Sequence, residues 1–185
     1  NIKRKNYFGI VIPVFNRYII TKIFLECLKN NKNFDSVIFC IIDDGSDNLV
    51  LNELENLQID NLITIYCKKQ NNIYGSKNTI IPGSLYPLTL YIGHELIKNY
   101  CKILGVLDSD TFISNNYFNL AKKFTEIFDM NKTIFSGFNS YSSVHKILKK
   151  KEIAGHNILI KNNLGGISQF YSINLYEKIK YKFTG

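Results

Sequence analysis

A chain of 185 residues, 45% hydrophobic and 14% aromatic, suffices for one α/β domain with a sizeable core and is too short for two comfortable ones. That composition excludes disorder over most of the length, and no apolar run is long enough to span a bilayer. The formal net charge of +8 suits a polyanion, an acidic membrane surface or a phosphorylated small molecule. Nucleic acid is disfavoured, because the lysines are scattered and there is no RNP-type aromatic motif, zinc finger or basic helix.

After a basic leader, Tyr7 to Phe15 is continuously apolar, as a parallel strand buried on both faces should be, and Pro13 is expected to end its ladder. Asn16-Arg17-Tyr18 opens a helix from about Ile19 to Asn30, with Ile20, Ile23, Phe24, Cys27 and Leu28 at helical spacing for packing on the sheet. A second apolar run, Val37 to Ile42, ends in Asp43-Asp44-Gly45-Ser46-Asp47, and a helix with Leu49, Leu51, Leu54 and Leu57 follows. Ser46 or Asp47 is a natural N-cap, but two adjacent acids at the strand end exceed what one cap requires. A third strand, Leu62 to Cys67, leads into a polar loop from Lys68 to Asn78.

Ser84 to Tyr100 is predicted helical, broken or started near Pro87, and His94 is expected to be a half-exposed helix residue. Ile103 to Leu107 is the next strand, running straight into Asp108-Ser109-Asp110, and a helix from about Asn116 to Phe128 follows. Beyond this the pattern changes. Thr133 to Phe138 is strand-like, Val144 to Lys151 is mixed and strongly basic, and His156 to Ile160 is a short strand. Asn163 to Ser168 brings flexible, glycine-containing backbone before a last helix near Asn174 to Lys180. The β-α alternation of the first 130 residues predicts a doubly wound, mostly parallel sheet with helices on both faces, and the tail predicts a small antiparallel addition.

Cys27, Cys40, Cys67 and Cys101 lie far apart in apolar segments, with no C-x-x-C pair. They are expected to be small buried hydrophobes in a reducing compartment, hence a cytoplasmic setting. A start at Asn1 and a stop at Gly185 just after a helix suggest a trimmed piece of a longer protein.

Three strand ends converge on one crevice: Pro13 to Arg17, Asp43 to Asp47, and Asp108 to Asp110. Asp108 and Asp110 fit a hard cation, although a turn capped by its own backbone N–H groups is the ordinary alternative for such a tripeptide. No G-x-G-x-x-G follows the first strand and no G-x-x-x-x-G-K-[ST] exists, so dinucleotide folds of the usual kind and P-loop nucleotidases are disfavoured. A crevice with carboxylates and no glycine cradle needs a divalent cation to bridge acids and phosphate oxygens.

Taken together, Ile10 to Arg17, Ile42 to Asp47 and Leu107 to Asp110 resemble the N-terminal half of a family 2 glycosyltransferase of the GT-A fold, over roughly residues 7 to 180. The resemblance implies one domain over residues 1–185, with 1–130 binding a nucleotide sugar and 131–185 beginning the acceptor side. It implies that Pro13, Val14 and Phe15 line the base pocket, with Phe15 stacking on uracil of a UDP-sugar. Arg17, Asp43, Asp44, Asp108 and Ser109 would complete the nucleotide site, Asp44 accepting from base or ribose. Lys77 stands where the family usually has Arg in an A-R-N segment, acting as a point charge near the diphosphate. Asp110 would be the principal ligand of Mn2+ or Mg2+, and Asp108 would face the ribose or reach the metal through water.

Inverting glycosyl transfer is the implied chemistry, with a carboxylate deprotonating the acceptor hydroxyl. The base normally sits in an acidic pair after the glycine-containing segment. Here only Glu177 follows Gly166, and it fits a solvated helix residue better. Gly165 and Gly166, in Leu164 to Ser168, resemble the G-G-V-S run of galactosyl-type transferases and would approach the donor sugar. Lys146, Lys149, Lys150, Lys151, Lys178, Lys180 and Lys182 form a basic C-terminal face, by default solvated, that would suit anionic lipid where the acceptor is a lipid-linked glycan. His145 and His156 are expected to be structural or loop residues. Two alternatives stand beside the transferase: a nucleotidyltransferase, which would ordinarily show a glycine-rich basic loop after the first strand, and a non-catalytic nucleotide-sugar-binding domain.

Overall fold

The computed structural model describes residues 6–31, 36–67, 85–137, 146–153, 155–161 and 168–180, with backbone alone for 85–88. Parallel strands β1 (Asn6–Val14), β2 (Val37–Asp43), β3 (Leu62–Tyr66) and β4 (Cys101–Leu107) are joined by helices α1 (Tyr18–Lys29), α2 (Asn48–Glu55) and α3 (Leu85–Ile97). A single 3-10 turn, Lys98–Tyr100, links α3 to β4, and α4 (Tyr117–Ile127) follows β4. Strands β5 (Ile147–Ile153) and β6 (His156–Lys161) form a separate antiparallel pair. The described chain closes with β7 (Ser168–Ser172) and α5 (Ile173–Ile179).

The main sheet has the order β3-β2-β1-β4-β7, with β7 antiparallel to β4. Strands β1, β2 and β4 are buried almost throughout, which is why their sequences are continuously apolar and do not alternate. The side-chain period of two then divides the core between the sheet's faces. Ile10, Ile12 and Val14 pack with Phe24 and Leu28 of α1, Leu54 of α2 and Phe118 of α4. Val11 and Ile42 pack on the other face with Leu90 and Ile97 of α3 and Tyr176 of α5.

Several expectations are corrected. Pro13 does not end β1, which stays beside β2 through the pairs Pro13–Ile42 and Val14–Asp43; only its pairing with β4 stops earlier, at Val11. The face of α1 that meets the sheet is Thr21, Phe24, Leu25 and Leu28, whereas Ile20 and Ile23 are exposed, because an apolar stripe wider than the contact left the rotation ambiguous. Thr133 to Phe138 contributes only a bridge between Phe135 and Phe170, not a strand, and Phe138 lies outside the described residues. Strand β7 lies where only a flexible lead-in to the last helix was expected. Its short sequence, Ser-Gln-Phe-Tyr-Ser, is a strand because β4 offers an open edge.

His94 is fully buried instead of half-exposed, with Nε2 3.3 Å from the Gly105 carbonyl oxygen and 3.0 Å from the Tyr171 hydroxyl. No disulfide joins the four cysteines; Cys40 and Cys101 are buried, Cys27 and Cys67 half-buried. Among the described residues, no helix is long and apolar enough to cross a membrane.

Candidate functional site

From β1 the chain moves through α1 to β2 on one side, while β4, reached after α3, pairs with β1 on the other side. The strand order therefore reverses between β1 and β4, and the crevice beyond their carboxyl ends is where such a sheet binds ligands. Both flanking loops deliver charge there. Arg17 follows β1, Asp110 follows β4, and Arg17 Nη1 donates to Asp110 Oδ2 at 2.6 Å, across 93 residues of sequence. Both side chains are solvent-exposed, at 66% and 43%.

The loop after β1 is held in an uncommon shape. Asn16 and Arg17 both occupy the left-handed region, with φ of 50° and 55°, which costs a non-glycine residue roughly 1–2 kcal/mol. Asn16 offsets this with three bonds: its N–H donates to Ser46 Oγ at 2.8 Å, its Oδ1 accepts from Asp47 N at 2.9 Å, and its carbonyl accepts from Thr21 Oγ1 at 3.0 Å. The loops after β1 and β2 are thus one unit. Asn16 and Ser46 were not among the expected site residues; the signal available was an Asn, the residue most tolerant of left-handed backbone, just past a strand end.

The two acids after β2 have different environments. Asp43 is buried, and its carboxylate accepts from the N–H groups of Gly45 and Ser46 at 3.1 Å each, which fixes the turn. Gly45, at φ 86°, supplies the left-handed position that this turn demands. Asp44 is half-buried, and its carboxylate meets no hydrogen-bond donor among the described residues. Burial, and secondarily the Asp43 charge, pushes the Asp44 carboxyl above its ordinary range. Asp47 caps α2 by accepting from Leu49 N and Val50 N.

After β4, Asp108 and Ser109 are half-buried and Asp110 is exposed, in a turn closed by the Thr111 N–H on the Asp108 carbonyl. Thr111 Oγ1 is buried without a hydrogen-bond partner among the described residues. Pro13 and Phe15 are half-buried at the mouth of β1, whereas Val14 is packed in the core. Lys77, Gly165, Gly166, His145 and Lys182 lie outside the described residues.

No cluster of three or more His, Cys, Asp or Glu side chains suited to a metal is present among the described residues. Two carboxylates one residue apart, with an unpartnered hydroxyl next in the chain, nonetheless fit a hard divalent ion that keeps several waters and takes further oxygens from a phosphate. Glu177 is held by Lys98 at 2.8 Å and Lys180 at 2.5 Å, and these bonds keep its carboxyl below the ordinary range. It is an ion-pair residue of the α3–α5 face, not the simply solvated one expected, and a poor proton acceptor. His156 packs edge-on against Phe124 of α4, a structural role as expected. A cavity of about 400 Å3 lined by Lys29, Leu57, Gln58, Ile59 and Asp60 lies at the opposite, amino-terminal end of the parallel strands.

No family model matches the sequence, and no curated protein matches it. Solved structures do match in fold. TarS of S. aureus (residues 1–349) aligns with TM-score 0.58 at 15% identity, over 93% of this chain and 48% of that one, and the same protein has been solved with UDP-GlcNAc. The mannosyltransferase PcManGT of Pyrobaculum calidifontis, in complex with GDP-Man and Mn2+, gives TM-score 0.56 at 10% identity, over 97% of this chain and 48% of that one. The 4-diphosphocytidyl-2C-methyl-D-erythritol synthase of Anaerococcus prevotii gives 0.56 at 11%, over 97% of this chain and 76% of that one. The chain therefore has the GT-A fold, a mostly parallel sheet with helices on both faces and a small antiparallel pair. It spans about half the length of the TarS 1–349 and mannosyltransferase structures it matches.

Proposed function

We propose that this chain is the donor-binding part of a nucleotide-sugar-dependent glycosyltransferase that takes a UDP-sugar with Mn2+ or Mg2+ and transfers the sugar, with inversion, to a glycan or lipid-linked acceptor in the cytoplasm. The observation behind the reading is the meeting of Arg17 and Asp110 at the point where the strand order reverses. A guanidinium and a carboxylate with a second carboxylate beside it are what a diphosphate and its counter-ion require. Structural neighbours solved with UDP-GlcNAc and with GDP-Man and Mn2+ support the same reading.

In this reading residues 1–130 hold the donor and 131–185 begin the acceptor side. Phe15 and Pro13 present apolar surface to the base, and Asp44, lacking a donor among the described residues, accepts from base or ribose. Asp43 acts through the turn that it fixes. Asp110 and Asp108 would hold the cation, which supplies positive charge against the departing diphosphate; Arg17 and Lys77 add fixed charge, Ser109 lines the nucleotide, and Gly165 and Gly166 admit the sugar. Glu177, committed to two lysines, is not assigned as the acceptor base.

The test is calorimetric titration of UDP with and without Mn2+. We expect binding that depends on Mn2+ and weakens by about tenfold or more in Asp110→Ala. Absence of UDP binding in both conditions, or affinity untouched by Asp110→Ala, overturns the proposal. A nucleotidyltransferase is the second reading, favoured by the synthase among the structural neighbours. Pyrophosphate released from a nucleoside triphosphate and a sugar phosphate would select it.

A further inference from the structure

We propose that the β5–β6 hairpin is a docking surface for an anionic lipid bilayer. Residues 146–161 hold five lysines against one glutamate, so sixteen residues account for half of the chain's net charge of +8. Lys178 on α5 is exposed as well, so what sets the hairpin apart on the basic C-terminal face is the density of its cations. Lys180 is spent on Glu177, whereas Lys146, Lys149, Lys150 and Lys151 are exposed and have no ion pair among the described residues.

Charge alone would suit any polyanion, and lysines on an edge strand also guard against sheet-to-sheet aggregation. The apolar side chains among them favour lipid. Ile147, Leu148 and Ile160 are exposed at 43%, 58% and 39%, on a two-stranded pair whose ring contact to the body of the fold is His156 on Phe124. In the register Lys149 lies opposite Ile160 and Lys151 opposite Ile158 on one face, and Lys150 opposite Leu159 on the other, so cationic and apolar side chains are neighbours on both faces of the hairpin. A soluble polyanion rewards the ammonium groups only. A bilayer of acidic lipid rewards both, the lysines at the headgroups and the isoleucine and leucine side chains at the acyl boundary. The register shift between Ile147 and Lys149 adds a bulge at Leu148, the most exposed of the three apolar residues.

The inference is independent of the donor-site reading, since it uses none of the residues around Asp110. Its test is co-sedimentation of the chain with vesicles of phosphatidylcholine alone and of phosphatidylcholine mixed with phosphatidylglycerol, with heparin retention as the soluble-polyanion arm. We expect binding to the mixed vesicles only, weakening as salt rises. Replacing Lys149, Lys150 and Lys151 together by Gln should weaken it on the order of a hundredfold, taking each lysine near the surface at about fivefold. Leu148→Ser should weaken vesicle binding several-fold and leave heparin retention unchanged. UDP titration of the same variants should match the parent, which separates this proposal from the donor reading. Equal sedimentation with neutral vesicles, or none with either, overturns the proposal whatever the variants do. So does a Leu148→Ser variant that binds acidic vesicles like the parent, which would mark the hairpin as a polyanion surface or an edge guard.

Discussion

Arg17 and Asp110 are each other's partner at 2.6 Å, and the proposed site needs both for something else. An exposed pair of this kind is worth about 1 kcal/mol or less, small enough to open for a ligand yet large enough to oppose a cation arriving at Asp110. Removing Arg17 should therefore split two affinities that would fall together if the residue were only structural. In Arg17→Ala, Mn2+ alone should bind up to about fivefold tighter, while UDP in the presence of Mn2+ should bind more weakly. Loss of the free Mn2+ electron paramagnetic resonance signal reads the first and calorimetry the second; Mn2+ affinity that is unchanged or lower would remove Asp110 from the metal site. At this scale the sequence exposed the acids and the arginine, because charge at the end of an apolar strand is conspicuous. It did not separate Asp43 from Asp44, one turned inward to two backbone N–H groups and the other without a donor among the described residues, because that depends on the direction of a turn. Nor did it expose Asn16, whose role lies in hydrogen bonds to residues some thirty positions away.

Among the elements, the strands and helices of the first 130 residues were legible because a two-sided parallel sheet writes itself as unbroken apolar runs between turn signals. The helix faces and β7 were not. A stripe with Ile19, Ile20, Ile23, Phe24, Cys27 and Leu28 allows more than one rotation, and a five-residue strand is defined by the edge it joins. Likewise α3 lies on β1 so closely that a Cβ on Gly93 would stand 2.5 Å and 2.8 Å from the methyls of Val11 and 3.1 Å from Ile42 Cδ1. Exposed mid-helix glycines gain about 1 kcal/mol on replacement by Ala. Here overpacking, at about 1–3 kcal/mol, outweighs that gain. Gly93→Ala should lower Tm by about 3–6 °C, and adding Val11→Ala should restore part of the loss. A Tm equal to or above the parent's would mean that α3 has room to move off the sheet.

At the scale of the whole molecule, His94 connects three parts of the fold: α3, on which it stands, β4 through the Gly105 carbonyl, and β7 through the Tyr171 hydroxyl. Its ring also lies against Tyr176 of α5, and the Glu95 charge acts on it. Burial pushes the imidazole down to about 4 from an ordinary 6.5, despite hydrogen bonds that favour the charged form. Between those values the unfolded chain takes up a proton that the folded chain refuses, so stability falls as pH drops from about 6.5 to about 4, by roughly 3 kcal/mol in all. The paired carboxylates act in a different window. Lys22 holds Glu53 below its ordinary range, and Lys180 and Lys98 do the same for Glu177, so what they contribute is present above about pH 4.5 and lost below it. Loss of stability between about pH 6.5 and 5 therefore isolates the histidine. Urea unfolding across that range should show a declining free energy for the parent and a nearly flat one for His94→Gln, even though the variant starts lower at neutral pH because its packing is poorer. Parallel curves would show that His94 is accessible to protons in the native state, and that α3, β4 and β7 are less tightly closed around it than the hydrogen bonds indicate.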